Sequence, residues 1–148
     1  MSSAKHTHTI LYAEDDADDL FMVRQAFEQF DNNIELIHAY DGFHAIEQLR
    51  QRHLHGHLPC LIILDINMPG MDGRETLIHI KQAETYKNIP TVLFTTSSSP
   101  ADRSFAEKWG ARFITKPLIF SELEALAQRF LILCTQTVSE NIENAAGG

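Results

Sequence analysis

Four consecutive aliphatic residues, Leu61-Ile62-Ile63-Leu64, can be placed in few ways. A strand with one wet face alternates apolar and polar residues. An unbroken apolar run reads instead as a strand covered on both faces, as in a parallel sheet held between helices. Pro69-Gly70 soon follows and breaks the chain into a loop. Asp65 stands where the strand ends, so a carboxylate is delivered to the carboxyl edge of a sheet, where open α/β folds hold their ligands. Taken alone, Asp65 reads equally as a cap of the following turn or as a reactive group.

The same alternation continues along the chain. Strands are expected at Thr9 to Ala13, Ile34 to Tyr40, Leu61 to Asp65, Thr91 to Thr95 and Arg112 to Thr115. Helical spacing fills the gaps: Leu20, Val23, Phe27 and Phe30 between Ala17 and Phe30; Phe43, Ile46 and Leu49 between Gly42 and Arg52; Leu77, Ile78 and Ile80 between Arg74 and Ala83. Pro100 suits the first position of a helix, which Gly110 then ends. Ser121 with Glu124 three residues on predicts a capping box opening the last helix. Five βα units with right-handed crossovers give an α/β, doubly wound, five-stranded parallel sheet of order 2-1-3-4-5. Its switch point lies between the first and third strands.

Length and charge narrow the class. At 148 residues one domain is expected, spanning 8–138, with flexible termini at 1–7 and 139–148. Twelve basic against 20 acidic residues, a formal charge of −8, argue against a nucleic-acid surface. No apolar run approaches the ~20 residues of a membrane span, and Met1 to Thr9 is too short and polar for a signal peptide, so a cytoplasmic protein is expected. Cys60 and Cys134, the only cysteines, read as buried thiols of a reducing compartment.

The strand ends carry the chemistry. The first strand ends in Glu14-Asp15-Asp16, the third in Asp65, the fourth in Thr95-Thr96-Ser97 and the fifth in Lys116-Pro117. In a 2-1-3-4-5 sheet these groups converge on one crevice. Carboxylates crowded there repel and raise one another's pKa unless a cation joins them, and oxygen-only ligands favour Mg²⁺ over Zn²⁺. A lysine and a hydroxyl opposite supply donors for a multiply charged oxyanion. Together these are the parts for phosphoryl transfer onto a carboxylate.

Four segments, in order, resemble the receiver domains of two-component response regulators, which have the flavodoxin-like, CheY-like (βα)5 fold. They are Ile10 to Asp16, Leu61 to Gly73, Pro90 to Thr96 and Phe113 to Pro117, and the likeness covers roughly residues 8–135. It extends to small regulators of the phytochrome-associated type. The resemblance implies that Asp65 accepts a phosphoryl group from the phosphohistidine of a sensor histidine kinase or phosphotransfer protein. It implies Mg²⁺ held by Glu14, Asp15, Asp65 and the backbone carbonyl of Asn67. Lys116 would pair with the phosphoryl group, Thr95 would move to hydrogen-bond it, and Phe113 would be the switch aromatic. A cis Lys116-Pro117 bond is also implied. The output would be altered binding of a downstream protein, or relay of the phosphoryl group, without turnover of a separate metabolite.

Rival readings are weaker on these residues. A phosphatase of the haloacid dehalogenase type would carry a second aspartate two residues after its nucleophile, where this chain has Asn67. A receiver that is never phosphorylated would not need the full acidic set. Asp16 is expected to cap the first helix, and Asp18, Asp19 and Asp72 to sit near helix starts. His53, His55, His57 and Cys60 form a possible zinc cluster, but alternating loop histidines converge poorly and solvated side chains are favoured. In the last helix Leu123, Leu126, Phe130 and Leu133 form a stripe, while Leu131, Ile132 and Cys134 add apolar surface. That excess suggests a surface for a partner or for self-association; the resemblance implies that a homodimer would form through the fourth helix, fifth strand and fifth helix.

Overall fold

Apolar residues in β1 (His8–Ala13), β3 (Leu61–Leu64) and β4 (Thr91–Thr95) alternate between two buried faces, and this sorts the whole core. The computed structural model describes residues 8–30 and 33–147, with side chains described through Thr135. Ile10, Tyr12, Leu61, Ile63, Val92 and Phe94 point to one side, where α1 (Ala17–Glu28) and α5 (Phe120–Gly147) cover them. Leu11, Ala13, Ile62, Leu64 and Leu93 point to the other, beneath α2 (Gly42–Leu54), α3 (Gly73–Gln82) and α4 (Pro100–Lys108). Each such Leu or Ile, buried to 0–1% exposure, contributes about 1.5–3 kcal/mol by leaving water.

All strand pairings are parallel, and with β2 (Ile34–Ala39) and β5 (Arg112–Thr115) the order is β2-β1-β3-β4-β5. The expected topology is therefore the observed one. Parallel register places every strand's carboxyl end on the same edge, with Ala13 beside Leu64 and Thr95 beside Thr115. Asp16 caps α1 by accepting the N–H groups of Asp18 and Asp19. Asp72 and Glu75 form a reciprocal capping box on α3. Ser99 caps α4, with Pro100 in its first turn, and Gly110 follows with φ 74°, the left-handed region open to glycine.

Four expectations need correction. The Ser121–Glu124 box does not form: α5 begins one residue earlier, and the Ile119 carbonyl accepts the N–H groups of Glu122 and Leu123 instead. Phe30 and Phe43, which helical spacing groups with the apolar residues of α1 and α2, are 39% and 61% exposed, because each lies at or beyond a helix end. No peptide bond among the described residues is cis, so Lys116-Pro117 takes the isomer that is cheaper for an X–Pro bond. The two cysteines are not free thiols: Cys60 and Cys134 are joined, their Cα atoms 5.1 Å apart. Sequence spacing could not show this, since the partners are 74 residues apart and meet only when α5 lies on the sheet.

Helix α5 runs to Gly147. Residues 1–7 lie outside the described part. Among the described residues no helix is long and apolar enough to cross a membrane.

Candidate functional site

The carboxyl ends of β1, β3, β4 and β5 bring Glu14, Asp65, Thr95 and Lys116 to one edge of the sheet, as their sequence positions required. Glu14 is 0% exposed and Asp65 6%, unusual burial for acids. Carboxylate oxygens of Glu14, Asp15 and Asp65 lie within 4.8 Å of one another. Asp15 is exposed, so the acidic pocket is open on its side. Asn67 is exposed just beyond β3, and Thr96 lies exposed past the end of β4.

Lys116 is the counter-charge. Its Nζ donates to Glu14 Oε1 at 2.7 Å and to Asp19 Oδ2 at 2.8 Å, while Asp65 Oδ1 is farther off at 3.6 Å. The ammonium is therefore held at the pocket wall by two other acids, within reach of Asp65. Burial alone would lower its pKa, but the bonds it donates to Asp19 and Glu14 outweigh that and raise it, so Lys116 stays charged.

Asp65 shows the opposite balance. Burial, and after it the neighbouring Glu14 charge, push its carboxyl from the ordinary 3.8 up to about 7, against the pull of Lys116. A carboxyl so raised marks a site that lacks positive charge. Three oxygen ligands of this kind fit a hard divalent cation, which would supply the missing charge and take no sulfur or nitrogen ligand.

Thr95 is fully buried at the end of β4, and its Oγ accepts the N–H of Ser97 at 3.1 Å. Phe113, one strand over, is half-buried against the core, and the Arg103 guanidinium lies 4.8 Å over its ring.

Three features of the site escaped the sequence reading. Tyr12 donates its hydroxyl to Glu14 Oε1 at 2.7 Å. The period-2 geometry of β1 was the available signal, since residues two apart share a face. Asp19, read only as an acid in a first helical turn, also clamps Lys116. Finally, Arg74 on α3 pairs with the nearly buried Asp102 of α4, which accepts the Ser97 hydroxyl at 2.8 Å. This chain ties α3 to the loop after β4, and no local motif announced it.

The histidine cluster does not assemble. His53, His55 and His57 are exposed, while Cys60 turns toward His8 and Cys134. On α5, Leu123, Leu126, Phe130 and Cys134 are core, and Ile132 remains 46% exposed.

The chain matches the response regulator receiver domain family over residues 10–128. It is 34% identical over 126 residues to the probable methanogenesis regulatory protein FilR2 of Methanothrix harundinacea, covering 82% of this chain and 79% of FilR2. To the response regulator Rcp1 of Synechocystis sp. it is 39% identical over 95 residues, covering 63% of this chain and 65% of Rcp1. The crystal structure of the Mn²⁺-bound form of Rcp1 aligns with a TM-score of 0.70 at 32% identity, over 82% of this chain and 89% of that one. The phosphorylated cyanobacterial phytochrome response regulator RcpA aligns with a TM-score of 0.79 at 30% identity, over 88% of this chain and 95% of that one.

Proposed function

The chain belongs to the receiver domains of two-component response regulators, and we propose that it is a phosphorylation switch whose signal is carried on Asp65. The observation that carries this reading is the triad of buried Asp65, parked Lys116 and the acidic pair Glu14 and Asp15. Together they provide a nucleophile, a counter-charge 3.6 Å from it and a place for a divalent cation.

In the proposed reaction an oxygen of the ionised Asp65 attacks phosphorus of a phosphohistidine on a sensor kinase or phosphotransfer protein. The P–N bond breaks, the imidazole leaves with the electron pair, and an acyl phosphate remains on Asp65. Mg²⁺ would sit against Glu14, Asp15, Asp65 and the Asn67 carbonyl and offset charge on the phosphoryl oxygens. Lys116 has only to exchange its bonds to Glu14 and Asp19 for one to a phosphoryl oxygen. Thr95 has to give up its bond to Ser97 N–H and turn its hydroxyl toward the same group. Phe113 then turns inward into the space that the shifted loop leaves, and this bistable unit alters the surface of α4, β5 and α5.

An apolar shoulder beside the pocket, with Leu118 97% and Ile119 59% exposed, supports docking of the phosphoryl donor there. A groove of about 430 Å³ lined by Arg103, Phe113 and Ile132 supports self-association through α4, β5 and α5. Intact mass after treatment with acetyl phosphate and Mg²⁺ tests the switch: one phosphoryl group is expected, lost in Asp65→Asn. A chain that gains no mass, or gains it equally in the variant, rejects the mechanism.

A further inference from the structure

At the amino edge of the sheet, away from the acidic pocket, a second group of reactive side chains meets. Cys60 immediately precedes β3 and its backbone N–H bonds Thr9 O at 2.9 Å; Cys134 comes from α5; His8 begins β1. Their Cα separation of 5.1 Å lies inside the roughly 4.4–6.8 Å span of disulfides. A ring nitrogen of His8 and both sulfurs lie within 4.8 Å of one another. The reduced pair also has a place: Cys60 Sγ is 3.3 Å from the Thr9 carbonyl, to which a thiol donates. Phosphoryl transfer uses none of these groups.

We propose that Cys60 and Cys134 form a reversible dithiol–disulfide site, oxidised by low-molecular-weight disulfides, with His8 as proton acceptor. Exposure sets the order of events. Cys60 is half-buried and Cys134 wholly buried, so Cys60 meets the oxidant first. Its thiol loses a proton to the His8 imidazole, directly or through one water, and the thiolate attacks a sulfur of the small disulfide. That S–S bond breaks, and one small thiolate leaves and takes the proton back from His8. Cys134 then loses its proton by the same route and attacks Cys60 Sγ, expelling the second small thiol. Two protein thiols are oxidised and one small disulfide is reduced to two thiols. The product ties α5 to the strand that carries Asp65.

The test uses the full chain, reduced and then equilibrated in buffered mixtures of reduced and oxidised glutathione. Samples are quenched with acid, alkylated and weighed. The folded chain is expected to lose both of its two alkylatable thiols and two hydrogens of mass, retaining no glutathione. Cys134→Ser should hold one glutathione adduct, on Cys60, whereas folded Cys60→Ser should hold none. His8→Ala should slow the wild-type reaction severalfold near neutral pH, and the deficit should vanish in alkali, where thiols ionise unaided. Circular dichroism matched to wild type establishes that the variants are folded. Two thiols that persist in the folded wild type, but react once it is unfolded in urea, overturn the proposal. So does a reduced chain that takes up one equivalent of Zn²⁺ and thereby resists oxidation.

Discussion

Replacing Asp65 by asparagine should make the protein more stable, and only where the native carboxyl is ionised. Folding raises this group from 3.8 to about 7, a change of roughly a thousandfold in proton affinity, or about 4 kcal/mol. The folded chain holds the proton more tightly than the unfolded chain. Stability is therefore lost as pH rises between those two values, and the full cost is present above both. At 6% exposure water screens little of it, but Glu14 shares the charge, so about 2–4 kcal/mol is the expected gain for Asp65→Asn at pH 8. At pH 4 the gain should be near zero, because native Asp65 is then protonated and resembles the amide. Urea unfolding of both proteins at the two pH values measures this directly, and their difference cancels the titration of groups that do not interact with Asp65. Millimolar Mg²⁺ should shrink the gap at pH 8 by stabilising only the native protein. Parallel pH profiles would show that the acids are not crowded as described.

Other side chains of the pocket give sharper local outcomes. Lys116→Met strands the buried Glu14 beside Asp65 and should cost about 3–5 kcal/mol at pH 8, partly recovered by acid or Mg²⁺ in the same unfolding assay. Tyr12→Phe removes the hydroxyl from Glu14 and should cost about 1.5–3 kcal/mol, with weaker Mg²⁺ binding by calorimetry. An unchanged affinity would limit Tyr12 to packing. Gly73→Ala would drive a methyl into the Asp65 carbonyl oxygen and to 2.7 Å from Ile66 Cα. A loss of about 1–3 kcal/mol or more and slower phosphorylation from acetyl phosphate are expected, and a wild-type rate would show that this loop can move aside without effect.

Much of this architecture was legible because it follows from short-range pattern. Apolar Leu61 to Leu64 demanded a sheet covered on both faces, and helical spacing supplied the covers. Parallel order then forced Glu14, Asp65, Thr95 and Lys116 together, since strand ends have nowhere else to go. What stayed hidden depends on side chains meeting across distant elements. Asp19 and Lys116 are 97 positions apart, and Arg74 and Asp102 are 28 apart. The cysteine pair was misread for the same reason, as composition suggested a compartment but could not show which thiols touch. Phe30 and Phe43 failed differently: a periodic stripe runs on past the end of the surface that buries it.

The crowding of Glu14, Asp15, Asp19 and Asp65 around a single ammonium has a consequence for information flow. With one cation among four acids, the pocket disfavours a dianion unless a divalent cation joins it, and the proposed switch asks Lys116 to leave Glu14 and Asp19 only for a phosphoryl oxygen. Under the proposed mechanism the domain would be a conjunction gate with two inputs, metal and phosphoryl donor, and neither alone would move its surface. Phosphorylation measured across a grid of both concentrations should follow their product at the dilute corner, where a one-input switch would follow the donor alone.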